Sequence, residues 1–254
     1  GLILFGARVT VADTITANAR VGVGWATAST ARGCVGLGAQ NGVTTTVDSS
    51  ITSTTRCLIL RTNNADTIDS DWDFVSFNAD GFVLDRITGT AAVLIGYIAF
   101  AGPQVAVGTF ASRTDILTTA ITGPGFLPTA VLVLTSNNPI ATETAFSPDL
   151  RMGMGWATAA GGYSTFAYGF DGATTTDTMG RTSATVLLPK WNRTGANTWA
   201  NGGTGDLDSL DATGWTYDQL TADAQATLNL YLALGNAAAA ASNPFYSGWR
   251  RRAA

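Results

Sequence analysis

A nine-residue pattern occurs twice in this chain, and it constrains the fold more than any other feature. Arg20-Val21-Gly22-Val23-Gly24-Trp25-Ala26-Thr27-Ala28 is answered by Arg151-Met152-Gly153-Met154-Gly155-Trp156-Ala157-Thr158-Ala159. A fixed internal period marks a repeated structural unit. The correspondence runs on in both directions. Upstream, Leu2-Ile3-Leu4-Phe5 answers Val131-Leu132-Val133-Leu134. Downstream, Asn41-Gly42-Val43-Thr44-Thr45-Thr46 answers Asp171-Gly172-Ala173-Thr174-Thr175-Thr176. The segments 73–82 and 206–215 match next, followed by 94–100 and 228–234. Each unit is roughly 125 to 130 residues, an ordinary domain size. The expected organisation is a first unit over 1–104, a second over 105–236 and a C-terminal arm over 237–254.

Composition chooses between strand and helix. The chain has one Lys (Lys190), one Glu (Glu143) and no His, and it is rich in Thr, Val, Ile and Gly. Strong helix formers such as Lys and Glu are thus nearly absent, whereas β-branched residues fit a pleated, half-buried surface. Net charge is −4 with 13% charged residues, which argues against nucleic acid as the main ligand. No apolar run approaches the ~18 residues of a membrane-spanning helix.

Taken in order, residues 2–11 read as a buried strand and 20–28 as the next. In the second, Val21 and Val23 alternate with Gly22 and Gly24, so one face is bare. Glycine there suits close approach of another backbone or a bulky ring. Asn78-Ala79-Asp80-Gly81 and Asp211-Ala212-Thr213-Gly214 read as hairpin turns with glycine available for positive φ. Residues 221–234 look helical by composition, yet Leu228, Leu230, Leu232 and Leu234 alternate with Asn229, Tyr231 and Ala233. That is period two, so a strand is expected from 228. The second unit is preceded by Val105-Ala106-Val107-Gly108-Thr109-Phe110, with no counterpart before Leu2. Either a leading strand of the first unit is missing, or that unit is shorter.

Four features carry candidate chemistry. Asp69, Asp71 and Asp73 point the same way in an extended chain. Such carboxylates either bind a hard cation such as Ca²⁺ or guard an exposed strand edge. The calcium-loop spacing is broken by Phe74 at its sixth position, and no other cofactor is implied. Cys34 and Cys57 either bridge neighbouring strands or are two buried thiols. Residues 189–205 read as a Gly/Asn/Thr loop, on which Trp191 and Trp199 either form a contact surface for a sugar or protein or turn into the core. The arm ends in Phe245, Tyr246, Trp249, Arg250, Arg251 and Arg252, which suit docking on a neighbouring subunit.

The patterns Gly-x-Gly-Trp-Ala-Thr (22–27 and 153–158), Asn/Asp-Gly-x-Thr-Thr-Thr and Asp73-Phe74-Val75-Ser76-Phe77-Asn78-Ala79-Asp80-Gly81-Phe82 resemble tandem-repeat structural proteins of tailed bacteriophages. The resemblance covers roughly 2–235. It implies a virion component and no particular catalytic residue. The reading is therefore all-β: two tandem antiparallel β-sandwich units of jelly-roll or lectin-like type, with a single duplicated barrel as the alternative. The expected function is non-enzymatic, in a head decoration, fibre or tail, with other copies of the chain and other virion proteins as partners. The alternative is a module binding a host-surface glycan, with or without Ca²⁺. A third reading, glycoside hydrolysis, rests only on the closeness of Asp69, Asp71 and Asp73. Against it stands the scarcity of His, Glu and Lys, the usual groups for general acid–base work.

Overall fold

The computed structural model describes residues 1–7, 18–40, 48–62, 66–89, 93–101, 103–139, 147–169, 178–196 and 198–237. They form nineteen strands and no helix. In chain order these are β1 (Leu2–Ala7), β2 (Ala19–Ala28), β3 (Ala31–Ala39), β4 (Ser49–Ser53), β5 (Leu58–Arg61), β6 (Ile68–Asn78), β7 (Gly81–Thr88), β8 (Leu94–Ala99), β9 (Pro103–Ala111) and β10 (Thr118–Ile121). There follow β11 (Pro128–Pro139), β12 (Ser147–Pro148), β13 (Leu150–Ala157), β14 (Tyr163–Gly169), β15 (Thr178–Ser183), β16 (Leu188–Gly195), β17 (Thr198–Asp211), β18 (Gly214–Thr221) and β19 (Thr227–Ala237). The all-β, antiparallel class expected from composition is observed.

The strands make four sheets. A six-stranded sheet runs β12-β4-β3-β2-β1-β8, and a three-stranded sheet, β5-β6-β7, covers one of its faces. A second six-stranded sheet runs β15-β14-β13-β11-β19-β9, and the four-stranded sheet β10-β18-β17-β16 covers one of its faces. The two six-stranded sheets face each other across the remaining sides, so the molecule has four layers. Leu2, Leu4, Leu58, Leu60 and Phe74 fill the first gap. Val23, Trp25, Val35, Leu134, Leu230 and Leu232 fill the middle one, and Val131, Val133, Leu187, Trp215 and Tyr217 fill the third. Each such side chain removed from water contributes about 1.5–3 kcal/mol.

The glycines of the repeated pattern explain how the outer layers sit so close. A Cβ on Gly22 would lie 2.5 Å from the Ile59 carbonyl oxygen, and one on Gly36 2.7 Å from the same atom. Gly24 and Gly155 meet the carbonyl oxygens of Cys57 and Leu187. Backbone therefore packs on backbone there, the first of the two options that alternate glycine left open. The intervening Val23 and Trp25 point the other way, into the middle gap.

Pairing registers agree at positions that the sequence repeat aligns. Leu2 stands opposite Ala26 and Ala99, and Val131 opposite Ala157 and Ala233. Bulges fall between Phe74 and Ser76 and between Leu207 and Ser209. The hairpins at 78–81 and 211–214 form as expected, with Asn78 opposite Gly81 and Asp211 opposite Gly214. Neither glycine takes a positive φ. Gly214 is needed instead for space, since a Cβ would run into the Ile121 carbonyl oxygen on β10.

One expectation needs correction. Residues 189–205 are not a loop: β16 and β17 cross them as a ladder, with Arg193 opposite Trp199 and Leu188 opposite Gly205. Composition signalled a loop, but ladder hydrogen bonds overrode weak strand propensity. The first strand is described only to Ala7. The turns at 41–46 and 171–176 lie outside the described residues. The stretch that looks helical from 221 enters β19 at Thr227, one residue before the expected strand start.

Candidate functional site

The aspartates of β6 are held separately. Arg56 Nε donates to Asp71 Oδ2 at 2.6 Å. Arg32 grips Asp73 from two nitrogens, Nε 2.5 Å from Oδ1 and Nη2 3.0 Å from Oδ2. Asp69 accepts from the Ser70 hydroxyl at 3.1 Å. Each carboxylate thus has its own local partner, and two carry a counter-charge. Among the described residues no three His, Cys, Asp or Glu side chains gather as a metal ion requires. The two-point Arg32–Asp73 pair is the stronger, charge-assisted kind and ties β3 to β6. The single Arg56–Asp71 contact ties the segment before β5 to β6.

Cys34 and Cys57 are both buried free thiols. The Cys57 thiol donates to the Trp72 carbonyl at 3.2 Å. Burial pushes its pKa up to about 12 and raises that of Cys34 further from neutrality. Thiols so strongly protonated are poor nucleophiles.

Sequence reasoning pointed to Trp191 and Trp199, and the structure puts both half-buried on the β16–β17 hairpin. The Arg181 guanidinium lies 4.3 Å from the Trp191 ring centre. Trp199 meets Tyr168 edge-on at 4.8 Å. Next to Tyr168 opens a polar cleft of about 320 Å³, lined by Arg151, Lys190, Asn192, Arg193 and Asp223 among others. Its floor is a buried network. The Lys190 ammonium donates to the Asp223 carboxylate, to the Gln225 carbonyl at 3.3 Å and to the Thr227 hydroxyl at 3.3 Å. The Ser112 hydroxyl donates to the same Asp223 oxygen at 2.6 Å. Burial lowers the Lys190 pKa, and the hydrogen bond and charge of Asp223 oppose that shift.

On the cleft wall, the Tyr168 hydroxyl donates to Asp149 Oδ2 at 2.7 Å, and Arg151 Nη2 donates to the same oxygen at 2.6 Å. Burial first, then the Asp149 hydrogen bond, pushes the Tyr168 pKa up to about 12. The arrangement can offer fixed donors, acceptors and an aromatic edge to a hydroxyl-rich ligand. Sequence reasoning missed Lys190, Asp223, Asp149 and Tyr168. The one usable signal was that the only lysine of the chain lay inside an apolar run, Leu187-Leu188-Pro189-Lys190-Trp191.

A second kind of surface is apolar. The two six-stranded sheets overlap only in part: β2, β3 and β4 lie over β9, β11 and β13. On the first sheet, β1 and β8 overhang and leave Phe5, Leu94 and Ile98 exposed, and Val21 near the start of β2 is exposed beside them. On the second, β14 overhangs, and its exposed Tyr163 stacks at 5.1 Å on exposed Trp156 near the end of β13. These two rings border a groove of about 370 Å³ with Leu132 and Met154. The arm residues Phe245, Tyr246, Trp249, Arg250, Arg251 and Arg252 lie outside the described residues.

No family model, curated protein or solved structure matches this chain.

Proposed function

We propose that this protein is a non-enzymatic structural component of a phage particle, a head decoration, fibre or tail protein, built from two β-sandwich units in tandem and working through contacts with other copies and other virion proteins. The observation that carries the assembly part is the pair of bare apolar faces. Large apolar surface left open on a soluble protein marks an interaction site. The chemistry of the polar groups agrees: Asp71, Asp73 and Asp223 are each paired with an Arg or Lys side chain, and the thiols are buried and protonated. The link to a virion rests on the resemblance of the repeated sequence patterns to phage structural proteins.

The mass of the purified full chain by light scattering tests this, measured beside a chain lacking residues 238–254. A defined assembly is expected for the full chain. Loss of assembly in the shorter chain would assign part of the contact to the arm. A folded monomer that neither self-associates nor joins a particle would refute the proposal.

The cleft beside Trp199 and Tyr168 favours a second reading, a glycan-binding module on the host-facing side of such a particle. It predicts capture on a glycan array that Trp199→Ala abolishes while the fold and the assembly persist. A blank array removes that reading.

A further inference from the structure

We infer that the two bare faces are each other's partners in different copies: the β13–β14 face of one molecule, carrying Trp156 and Tyr163, docks on the β1–β8 face of the next, carrying Phe5, Gly96 and Ile98. This names the contact surface and the partner for the assembly proposed above, and it rests on that reading.

The chain already makes one contact of this kind. In the middle gap, Trp25 of β2 is buried against Leu134 of β11 and Leu230 and Leu232 of β19. The strand ladders give the matching places in the bare faces. Trp25 stands opposite Ile3 and Gly33, as Trp156 stands opposite Leu132 and Tyr163. Leu134 stands opposite Leu230, as Phe5 stands opposite Gly96. Leu232 faces Leu132, as Ile98 faces Ile3. The same two kinds of face are therefore present twice. One of each is used inside the chain, and one of each is left over. Trp156 is 48% exposed and Ile98 52%, against 1% for Trp25 and 0% for Leu232.

Size complementarity supports the match. Inside the chain, Gly33 has no side chain because Leu230 occupies that space; a Cβ there would lie 2.9 Å from a Leu230 methyl. At the leftover faces the sizes are exchanged. Tyr163 takes the place of Gly33, and Gly96 takes the place of Leu230. A Cβ on Gly96 would find nothing closer than 3.9 Å, so the space opposite Tyr163 is empty. A large residue meets a gap in both cases, with the roles reversed.

One molecule cannot close this contact on itself. Strands β4 to β2 lie along β13 to β9, so β1 and β8 overhang one flank and β14 and β15 the opposite flank. The contact is head-to-tail, and such contacts give rings or open filaments rather than two-fold dimers.

The test is sedimentation velocity of the full chain over a range of concentrations, with Gly96→Leu, Tyr163→Gly and the double variant. The wild-type chain should form species larger than a monomer. Gly96→Leu fills open space in the single molecule, so its melting curve should match wild type while the larger species vanish. Gly96→Leu with Tyr163→Gly recreates the Leu230–Gly33 arrangement and should restore them. If Gly96→Leu misfolds, Tyr163→Gly alone must still weaken association. Association that neither Gly96→Leu nor Tyr163→Gly changes overturns this contact and leaves assembly through another surface standing. A monomer at every concentration overturns both this contact and self-assembly.

Discussion

β8 and β19 hold the same place in their sheets, beside β1 and β11, yet their surroundings are opposite. β19 is flanked on its far side by β9, and from Leu230 to Ala233 it is buried. β8 has no second neighbour among the described residues, and Leu94, Tyr97 and Ile98 are exposed. The outer sheets differ in the same way. β18 is covered by β10, and Trp215 and Tyr217 are fully buried with Phe110 5.2 and 5.0 Å away. Their counterparts by register, Phe82 and Leu84 of β7, are only partly buried. Nearly the same pattern of residues thus gives core in one half and surface in the other. Burial here is decided by which strand lies alongside, a property of the tertiary fold and not of the local sequence.

Truncation of the two tryptophans of the repeated pattern should separate the halves most strongly. Trp25→Ala empties the middle gap and should cost about 3–5 kcal/mol. Trp156→Ala, at the same place in the repeat, should cost under about 1 kcal/mol in the monomer. Urea unfolding of the two variants at a concentration where the protein is monomeric measures both. Equal losses would mean that the bare face is not bare in solution.

The buried ion pair distinguishes the halves next. Lys190 stands opposite Gly203, as Leu60 stands opposite Ser70. The first half has an apolar residue where the second has a charge. Lys190→Met leaves the Asp223 carboxylate buried without its cation, an expected loss of about 3 kcal/mol. Lys190→Leu with Asp223→Asn removes both charges, so it should lose clearly less. A double variant as unstable as the single one would show that the hydrogen bonds from Ser112 and to Thr227, rather than the charge pair, hold this end of the cleft together.

A smaller effect separates Gly214 from Gly81. A methyl on Gly214 meets the Ile121 backbone, whereas one on Gly81 meets nothing within 4 Å. Gly214→Ala should cost about 1–3 kcal/mol through overpacking, and Gly81→Ala should be within about 0.5 kcal/mol of wild type. Comparable losses at both positions would imply that something also covers β7.

Much of the strand order was legible in the chain, because ladders leave period-two patterns and turns leave Asx-Gly signals. The alternation Leu228-Asn229-Leu230-Tyr231-Leu232 outweighed the helical look of residues 221–227. The hairpins at Asp80-Gly81 and Thr213-Gly214 could be placed to the residue. What stayed hidden was non-local. Nothing near Gly202-Gly203-Thr204-Gly205 announces a strand, because its order comes from β16 and β18 on either side. Trp25 and Trp156 have nearly identical neighbours in sequence, so no local rule could assign one to the interior and one to the surface. The spacing of Asp69, Asp71 and Asp73 suggested a cation, but Arg32 and Arg56 reach Asp73 and Asp71 from elsewhere in the chain. The cleft was hidden for the same reason, since Lys190 on β16 meets Asp223, 33 residues further along in the connection between β18 and β19.

The two halves should also respond differently to alkali. In the first, the Cys57 thiol is raised from its ordinary 9.0 to about 12, chiefly by burial. In the second, the Tyr168 hydroxyl is raised from 10.0 to about 12, by burial and by the Asp149 hydrogen bond. A group whose folded pKa lies above its unfolded value holds its proton more tightly in the native state. The unfolded chain then binds fewer protons between the two values, and stability falls as pH rises through that window. The stabilisation is complete below about pH 9 and declines from there toward pH 12. At pH 10 the Cys57 contribution should already be reduced by roughly 1 kcal/mol. Tyr168 enters the window later, so it should lose less at that pH. Melting temperatures measured from pH 8 to 11 should therefore slope downward, with Cys57→Ala flattening the early part and Tyr168→Phe the later part. The lowered Lys190 pKa works in the opposite sense over the same range, so the change that each variant makes to the slope is the deciding measurement. A slope that neither variant changes would shift the cause to Cys34 or Tyr217, whose acidities burial also suppresses.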